Sequence, residues 1–244
     1  MVQSLIEQNF DAYTRRARLS PALIVVLPIA SVALMLFPNK LTLLGILVSL
    51  LVGFGGAALL AQVGRDMGKQ KEQSLFAIWE GGKPTTRMLR HSTAPNAKVL
   101  VLRHSKLQTL LPSLRLPTAA EEIASADQAD ETYEACATFL RNKTRDREKF
   151  NLIFEENCNY GFRRNLWGMK PLGIILSILG ILAAGIVAAM SFFVGKTALP
   201  LSAIACGVGN FILLILWLFL FTPNWVKIAA DAYAERLLDA CENL

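Results

Sequence analysis

Four long apolar blocks constrain this chain more than any other feature of its sequence. Pro21 to Phe37 is charge-free, Leu41 to Gln62 is longer, and Pro171 to Val194 and Leu201 to Thr222 supply two more. A helix needs about 20 mostly apolar residues to cross a bilayer core. A helix buried in a soluble core would instead show polar residues every third or fourth place. The pattern predicts an all-α integral membrane protein with four transmembrane helices, set as two hairpins flanking a mainly helical cytoplasmic domain. The expected boundaries are a basic N-terminal helix at 1–20, hairpins at 21–62 and 171–222, the cytoplasmic domain at 63–170 and an amphipathic C-terminal helix at 223–244. The 53% hydrophobic and 18% charged content follow from the four blocks. Ser31-Val32-Ala33 loosely fits a secretory cleavage site behind a basic start, but a second apolar block directly after Pro38-Asn39-Lys40 suits a tight hairpin better.

Basic flanks set the expected orientation. Arg15, Arg16 and Arg18 precede the first block, Arg65, Lys69 and Lys71 follow the second, and Arg163, Arg164 and Lys170 precede the third. The hairpin tips carry only Lys40 and Lys196. Both termini and the central domain are therefore expected in the cytoplasm, with a bacterial inner membrane as the simplest setting for so compact a chain. Cys136, Cys158, Cys206 and Cys241 show no CxxC spacing. On that side of the membrane disulfides are disfavoured, zinc ligand pairs are lacking, and buried thiols are the expected state.

Within the blocks, small residues recur every fourth place. The second has Gly45, Ser49, Gly53, Ala57 and Ala61, the third Gly180, Ala184 and Ala188, and the fourth Ala203 and Gly207. Such residues lie on one helix face and let backbones approach closely in lipid. The ladder suits a homo-oligomer and packing within one chain equally. No Asp, Glu, Lys, Arg or His lies inside a block, which argues against proton- or ion-coupled transport. Asn210 is the one strongly polar residue deep in a block, where an interhelical hydrogen bond or, less simply, a pore-lining ring would employ it. Pro28 and Gly53-Phe54-Gly55-Gly56 are expected to deform the first hairpin.

The intervening segment from Val63 to Lys170 holds 18 Lys and Arg against 13 Asp and Glu. The second block is expected to continue as a helix toward Trp79 and to break at Gly81-Gly82. Pro84 suits a first helical turn. The run Lys98-Val99-Leu100-Val101-Leu102 reads as strand or helical turn. Thr118 with Glu121 forms a capping box, opening a helix expected to reach about Leu140. Asp146 to Leu166 reads as a further helix, with Phe150, Ile153, Phe154 and Cys158 inward. The tail alternates at three-four spacing through Val226, Ala230, Tyr233, Leu237, Ala240 and Leu244.

Two stretches could carry chemistry. In Trp79-Glu80-Gly81-Gly82-Lys83-Pro84-Thr85-Thr86-Arg87, followed by Arg90 and His91, paired glycines beside a helix start and several cations suit an anionic small ligand. Turn punctuation explains the same residues, and the spacing is not that of a Walker A loop. The second stretch runs from Glu155 to Asn165. There Asn157, Tyr160, Gly161, Arg163 and Arg164 could couple a cytoplasmic event to helix movement, with Gly161 as hinge. Tyr160, Trp167 and the arginines also suit a plain interfacial anchor.

Catalytic signatures are missing. His91 and His104 belong to no HExxH, and neither GxSxG nor GxGxxG occurs,. No cofactor is implied, and nothing points to nucleic acid. In outline the arrangement resembles small bacterial membrane effectors, including phage-defence proteins that disturb the inner membrane. That resemblance is one of architecture alone. Three readings follow: a sensor or effector whose cytoplasmic domain controls an oligomeric bundle, a scaffold docking a soluble cytoplasmic protein, and an enzyme acting on a phosphate-bearing or lipid substrate through Lys83, Arg87, Arg90 and His91.

Overall fold

A computed structural model describes residues 11–37, 45, 56–194 and 198–244. Among them every regular element is helical. In chain order these are α1 (Thr14–Leu36), α2 (Gly56–Gln70), α3 (Glu72–Ile78), α4 (Pro84–Leu89), α5 (Ala97–Leu110), α6 (Ala119–Ala124), α7 (Ala126–Lys143), α8 (Asn151–Gly168), α9 (Lys170–Phe193), α10 (Leu201–Leu220) and α11 (Pro223–Asp239). Three of these, α1, α9 and α10, are long and apolar enough to cross a membrane. Most of the second predicted span, with Ser49, Gly53 and the first hairpin tip, lies outside the described residues, as does Lys196. Gly45 is described in isolation, and of Ala57 only the helical backbone.

The helices group into two compact units. One, the apolar unit, comprises the described residues up to Glu72 with Gly161–Val226, and the other, the polar unit, comprises Gln73–Tyr160 with Lys227–Leu244. Helices α3, α8 and α11 contribute residues to both.

In the apolar unit, α1 opens with a π-helical turn over Thr14–Leu19. Pro21 gives the reason, because it has no N–H to offer the Ala17 carbonyl four residues earlier. The Ser20 N–H bonds back to the Arg15 carbonyl instead, and the Ser20 hydroxyl donates to the same oxygen at 2.9 Å. The last turn of α10, Leu216–Leu220, is also π-helical. Along α9 the glycines mark where the neighbours press in. A Cβ at Gly173 would lie 2.2 Å from the Trp217 indole, and one at Gly180 would lie 2.5 Å from the Asn210 amide. Ala184, Met35, Ala203 and Cys206 close a small cluster one turn further on. Ala188 sits half-buried beyond it.

The polar unit has one core, built from Leu89, Leu107, Tyr133, Cys136, Leu140, Leu237 and Leu238 among others. One open reading is settled and two sequence expectations change. The run from Lys98 to Leu102 is helix, not strand, because Asn96 caps α5 by accepting from the Lys98 and Val99 amides. The Thr118–Glu121 capping box forms, but its helix stops at Ser125, whose φ −148° and ψ 73° separate α6 from α7. Helix α2 likewise ends at Gln70, and α3 carries the chain to Ile78. The tail forms α11 on the expected spacing, with Val226, Ala230, Leu237 and Ala240 buried and Leu244 exposed.

Candidate functional site

The predicted anion-binding stretch lies in the polar unit, where Gly81 and Gly82 adopt φ of 78° and 75°, a conformation favourable only to glycine. The Gly82 amide closes the turn on the Trp79 carbonyl at 2.9 Å. Each nearby cation has a protein carboxylate. Lys83 pairs with Glu134, and Arg87 meets Asp231 at 2.9 Å. The Arg90 guanidinium grips Asp130 through Nε and Nη2 and donates from Nη1 to the Gly81 carbonyl at 3.0 Å. Thr85 and Thr86 are buried in α4. An incoming anion would compete with three carboxylates held in place by the fold.

Behind Arg90 lies a buried carboxylate that the sequence does not single out. Glu122 is 5% exposed. Its Oε2 accepts from the His91 amide at 2.7 Å and the Tyr133 hydroxyl at 2.8 Å. Its Oε1 accepts from the Ser92 amide at 3.1 Å and the Ser92 hydroxyl at 2.7 Å. Burial pushes its pKa up, yet these donors together outweigh burial and hold the carboxyl below its ordinary value,. Burial raises the Tyr133 phenol, which also donates to Glu122. His104 stands edge-on to His91 with ring centroids 5.0 Å apart. Burial holds His104 below its ordinary pKa, although its Nε2 meets the Leu89 carbonyl at 2.8 Å. Burial pushes the Cys136 thiol up to about 11 and raises Cys241 as well, so neither is a ready nucleophile.

The densest convergence of predicted coupling residues is in the apolar unit, at the basic end of the bundle. Gly161 on α8 admits α1. A Cβ there would meet the Ala17 methyl at 2.9 Å and the Tyr13 hydroxyl at 3.0 Å. Arg163 donates to the Trp225 carbonyl at 2.9 Å and lies 4.8 Å over the Trp225 ring. Arg164 is buried and pairs with Glu72 at 2.8 Å. Tyr160 belongs to the polar unit, stacked on Tyr233 with centroids 6.3 Å apart. Asn157 sits half-buried on α8.

The residue that ties this end together is Asn165, which closes the second candidate stretch but is not among its predicted coupling residues. It is fully buried. Its Nδ2 donates at 2.7 Å to the Ala17 carbonyl, to which Pro21 four places on cannot donate, and its Oδ1 accepts from Arg164 Nε and Nη2 at 3.3 and 3.2 Å. Gly68 on α2 makes room for it, since a Cβ there would lie 2.2 Å from Oδ1. Gly168 touches the Gly68 backbone in the same way. Gly64 and Gly68 extend the predicted small-residue ladder beyond Ala61 at helical spacing. That continuation, with Pro21 four places after Ala17, is the sequence signal for the contact.

Deeper in the apolar unit, Asn210 is fully buried and makes the interhelical bond expected of it. Its Nδ2 donates to the Ser31 hydroxyl and to the Cys206 carbonyl, both at 2.8 Å. One polar group thus joins α1 and α10 against Gly180 of α9. Such bonds contribute about 1 kcal/mol in membranes. Asn210→Ala is expected to lower bundle stability by about that amount, read as an earlier midpoint when the full chain is unfolded in mixed detergent micelles. An unchanged midpoint would show the bond to be energetically idle.

No family model matches the chain, and comparison with curated proteins and with solved structures returns no match.

Proposed function

We propose that this protein is a membrane-embedded sensor or effector, in which a helical unit outside the bilayer controls the packing of an oligomeric helix bundle. The basic flanks favour both termini in the cytoplasm, and a bacterial inner membrane is the simplest setting for the chain. The observation that carries the reading is the Asn165 contact. A fully buried amide on α8 holds the irregular turn of α1, and beside it the buried Arg164 pairs with the half-buried Glu72 and anchors α8 to the start of α3. Parting Arg164 from Glu72 would cost a buried guanidinium its carboxylate,, so this junction favours discrete arrangements over gradual deformation. Because α8 carries residues of both units, a change at its N-terminal turns has a continuous helix along which to reach Asn165.

Inducible expression of the full chain with a voltage-sensitive dye tests the reading. Depolarisation is expected with the wild type, and a changed threshold with Asn165→Ala at equal membrane abundance. Silence of the dye under toxic and non-toxic expression alike would sink the membrane-disrupting form.

A second reading, a scaffold docking a soluble partner, draws on exposed apolar side chains of the polar unit. Val101 is 65% exposed, Leu102 59% and Ile123 84%. Affinity capture in mild detergent separates the two readings. A stoichiometric soluble partner lost on Val101→Ser and Leu102→Ser supports the scaffold, and a pure homo-oligomer supports the effector.

A further inference from the structure

The charge of this chain is not spread evenly. Residues 11–20, 61–72 and 161–170 hold nine Lys and Arg against three Asp and Glu, an excess that equals the +6 of the whole chain. The fold brings these three stretches to one end of the apolar unit. Asn165 bonds to Ala17, Arg164 pairs with Glu72, and Gly64 packs on the Met169 side chain. Lys170 joins them by donating to the Leu218 and Phe221 carbonyls at 3.2 and 3.0 Å, where it caps the C-terminus of α10,.

Three cations at this end rest on aromatic rings, as Lys143 and Lys149 do in the polar unit. Other cations meet carboxylates: Lys83, Arg87, Arg90, Arg103 and Arg115 in the polar unit, and Arg65 and Arg164 at this end. Here, Arg18 lies 5.3 Å over the Tyr13 ring, Lys71 5.6 Å over Trp167 and Arg163 4.8 Å over Trp225. None of the three forms an ion pair among the described residues. An aromatic face orients a cation without cancelling its charge. A guanidinium has five N–H donors, so Arg163 keeps donors beyond the one spent on the Trp225 carbonyl.

The level of this collar is also informative. Exposed apolar side chains begin just past it, at Leu23 on α1, Leu172 on α9 and Leu220 on α10. Cations beside half-buried Tyr13, Trp167 and Trp225 at the edge of an apolar belt match the depth of lipid headgroups,. A phosphodiester is the anion found at that depth, and it bonds well to guanidinium and ammonium groups.

We propose that the basic end of the apolar unit is a binding surface for anionic phospholipid headgroups, with Arg18, Lys71 and Arg163 as its ring-supported phosphate contacts. The proposal rests on α1, α9 and α10 being membrane spans and is independent of any effector activity.

The test uses the full chain in nanodiscs of phosphatidylcholine alone and of phosphatidylcholine mixed with phosphatidylglycerol, with native mass spectrometry for retained lipid and thermal unfolding for stability. Phosphatidylglycerol is expected to be retained in preference and to raise the unfolding midpoint, an effect that weakens as salt is added. Each of Arg18→Gln, Lys71→Gln and Arg163→Gln is expected to reduce the preference roughly fivefold. Lys98→Gln with Lys106→Gln, exposed lysines of the polar unit, is expected to leave it unchanged. Equal retention of both lipids by the wild type would overturn the proposal, and so would an undiminished preference in the three single variants. Inorganic phosphate added to phosphatidylcholine nanodiscs distinguishes a soluble anion from a headgroup. If phosphate alone reproduces the stabilisation, the lipid assignment fails. Arg163→Lys keeps the charge and the fold, so its retention of part of the preference is the expected rescue.

Discussion

Glu122→Ala is expected to remove about 3 kcal/mol from the polar unit and to lower amide protection across Ala126–Lys143 by roughly a hundredfold. Four donors converge on this carboxylate. The ones from His91 and Ser92 lie on exposed residues and can turn to water. The Tyr133 hydroxyl cannot, because Tyr133 is fully buried, and a buried donor left without an acceptor bears its whole desolvation cost. Loss of the carboxylate also frees the 91–92 turn from α6. Glu122→Gln keeps the volume but points an amide N–H at two donors, so it is expected to recover little. Hydrogen exchange of the full chain in detergent reads the effect, and unchanged protection over α7 would refute the role given to Glu122.

The same site gives the polar unit a pH dependence. His104 has a folded pKa below its ordinary 6.5, so the unit binds its proton less readily than the unfolded chain does. Its contribution is full above that value and is lost as the pH falls below it. Glu122 has a folded pKa below 4.5, so its contribution is full above 4.5 and is lost as the pH drops through the folded value,. Both act in one direction, and protection over α7 is expected to fall from about pH 6.5 downward. The charge of Glu122 favours the proton on His104. Glu122→Ala should therefore deepen the upper part of the fall while abolishing the lower part. His104→Gln should abolish the upper part alone.

Some of this architecture is legible in the sequence because it is local. The Thr118–Glu121 box, the proline opening α4 and the three-four spacing of α11 each follow from residues within a few places of one another. The apolar lengths of α1, α9 and α10 are equally local. Other features compete with local signals. Val99 and Val101 suggest a strand, and a single Asn96 cap outweighs them. Nothing in the spacing around Ser125 announces the break between α6 and α7. The sites are least legible because they depend on partners far apart in the chain. Lys83 and Glu134 are 51 residues apart, and Arg103 and Asp239 are 136 apart. A run of cations beside two glycines therefore suggests an open anion site until its carboxylates are placed. Asn165 is hidden for the opposite reason. One asparagine between Arg164 and Leu166 looks interfacial, and only the Ala17 carbonyl that Pro21 cannot serve as an i+4 donor gives it a destination,.

That destination makes the α2–α8 crossing the most sensitive place in the apolar unit. A Cβ at Gly168 would lie 2.6 Å from the Gly68 nitrogen, 2.7 Å from its Cα and 2.8 Å from the Met67 carbonyl carbon. All three are backbone atoms, so relief requires the helices themselves to separate. Gly168→Val is expected to cost about 3 kcal/mol, the upper range for overpacking, and to lower the unfolding midpoint of the full chain in detergent. Gly68→Ala meets a different neighbour. Its Cβ would lie 2.2 Å from Asn165 Oδ1, a side-chain atom, as well as 2.9 Å from the Asn165 Cα. Displacing that amide would break its bonds to Ala17 and Arg164 and loosen the Arg164–Glu72 pair. Gly68→Ala should accordingly cost less in an Asn165→Ala background than in the wild type, where the amide is there to be displaced. Gly168→Val should cost the same in both, since Asn165 is not what it strikes. A double-mutant cycle over the four combinations reads this difference as a coupling energy. Coupling of Gly68 but not Gly168 to Asn165 is the expected pattern, and equal coupling of both would mean that simple crowding, not the held amide, governs the crossing.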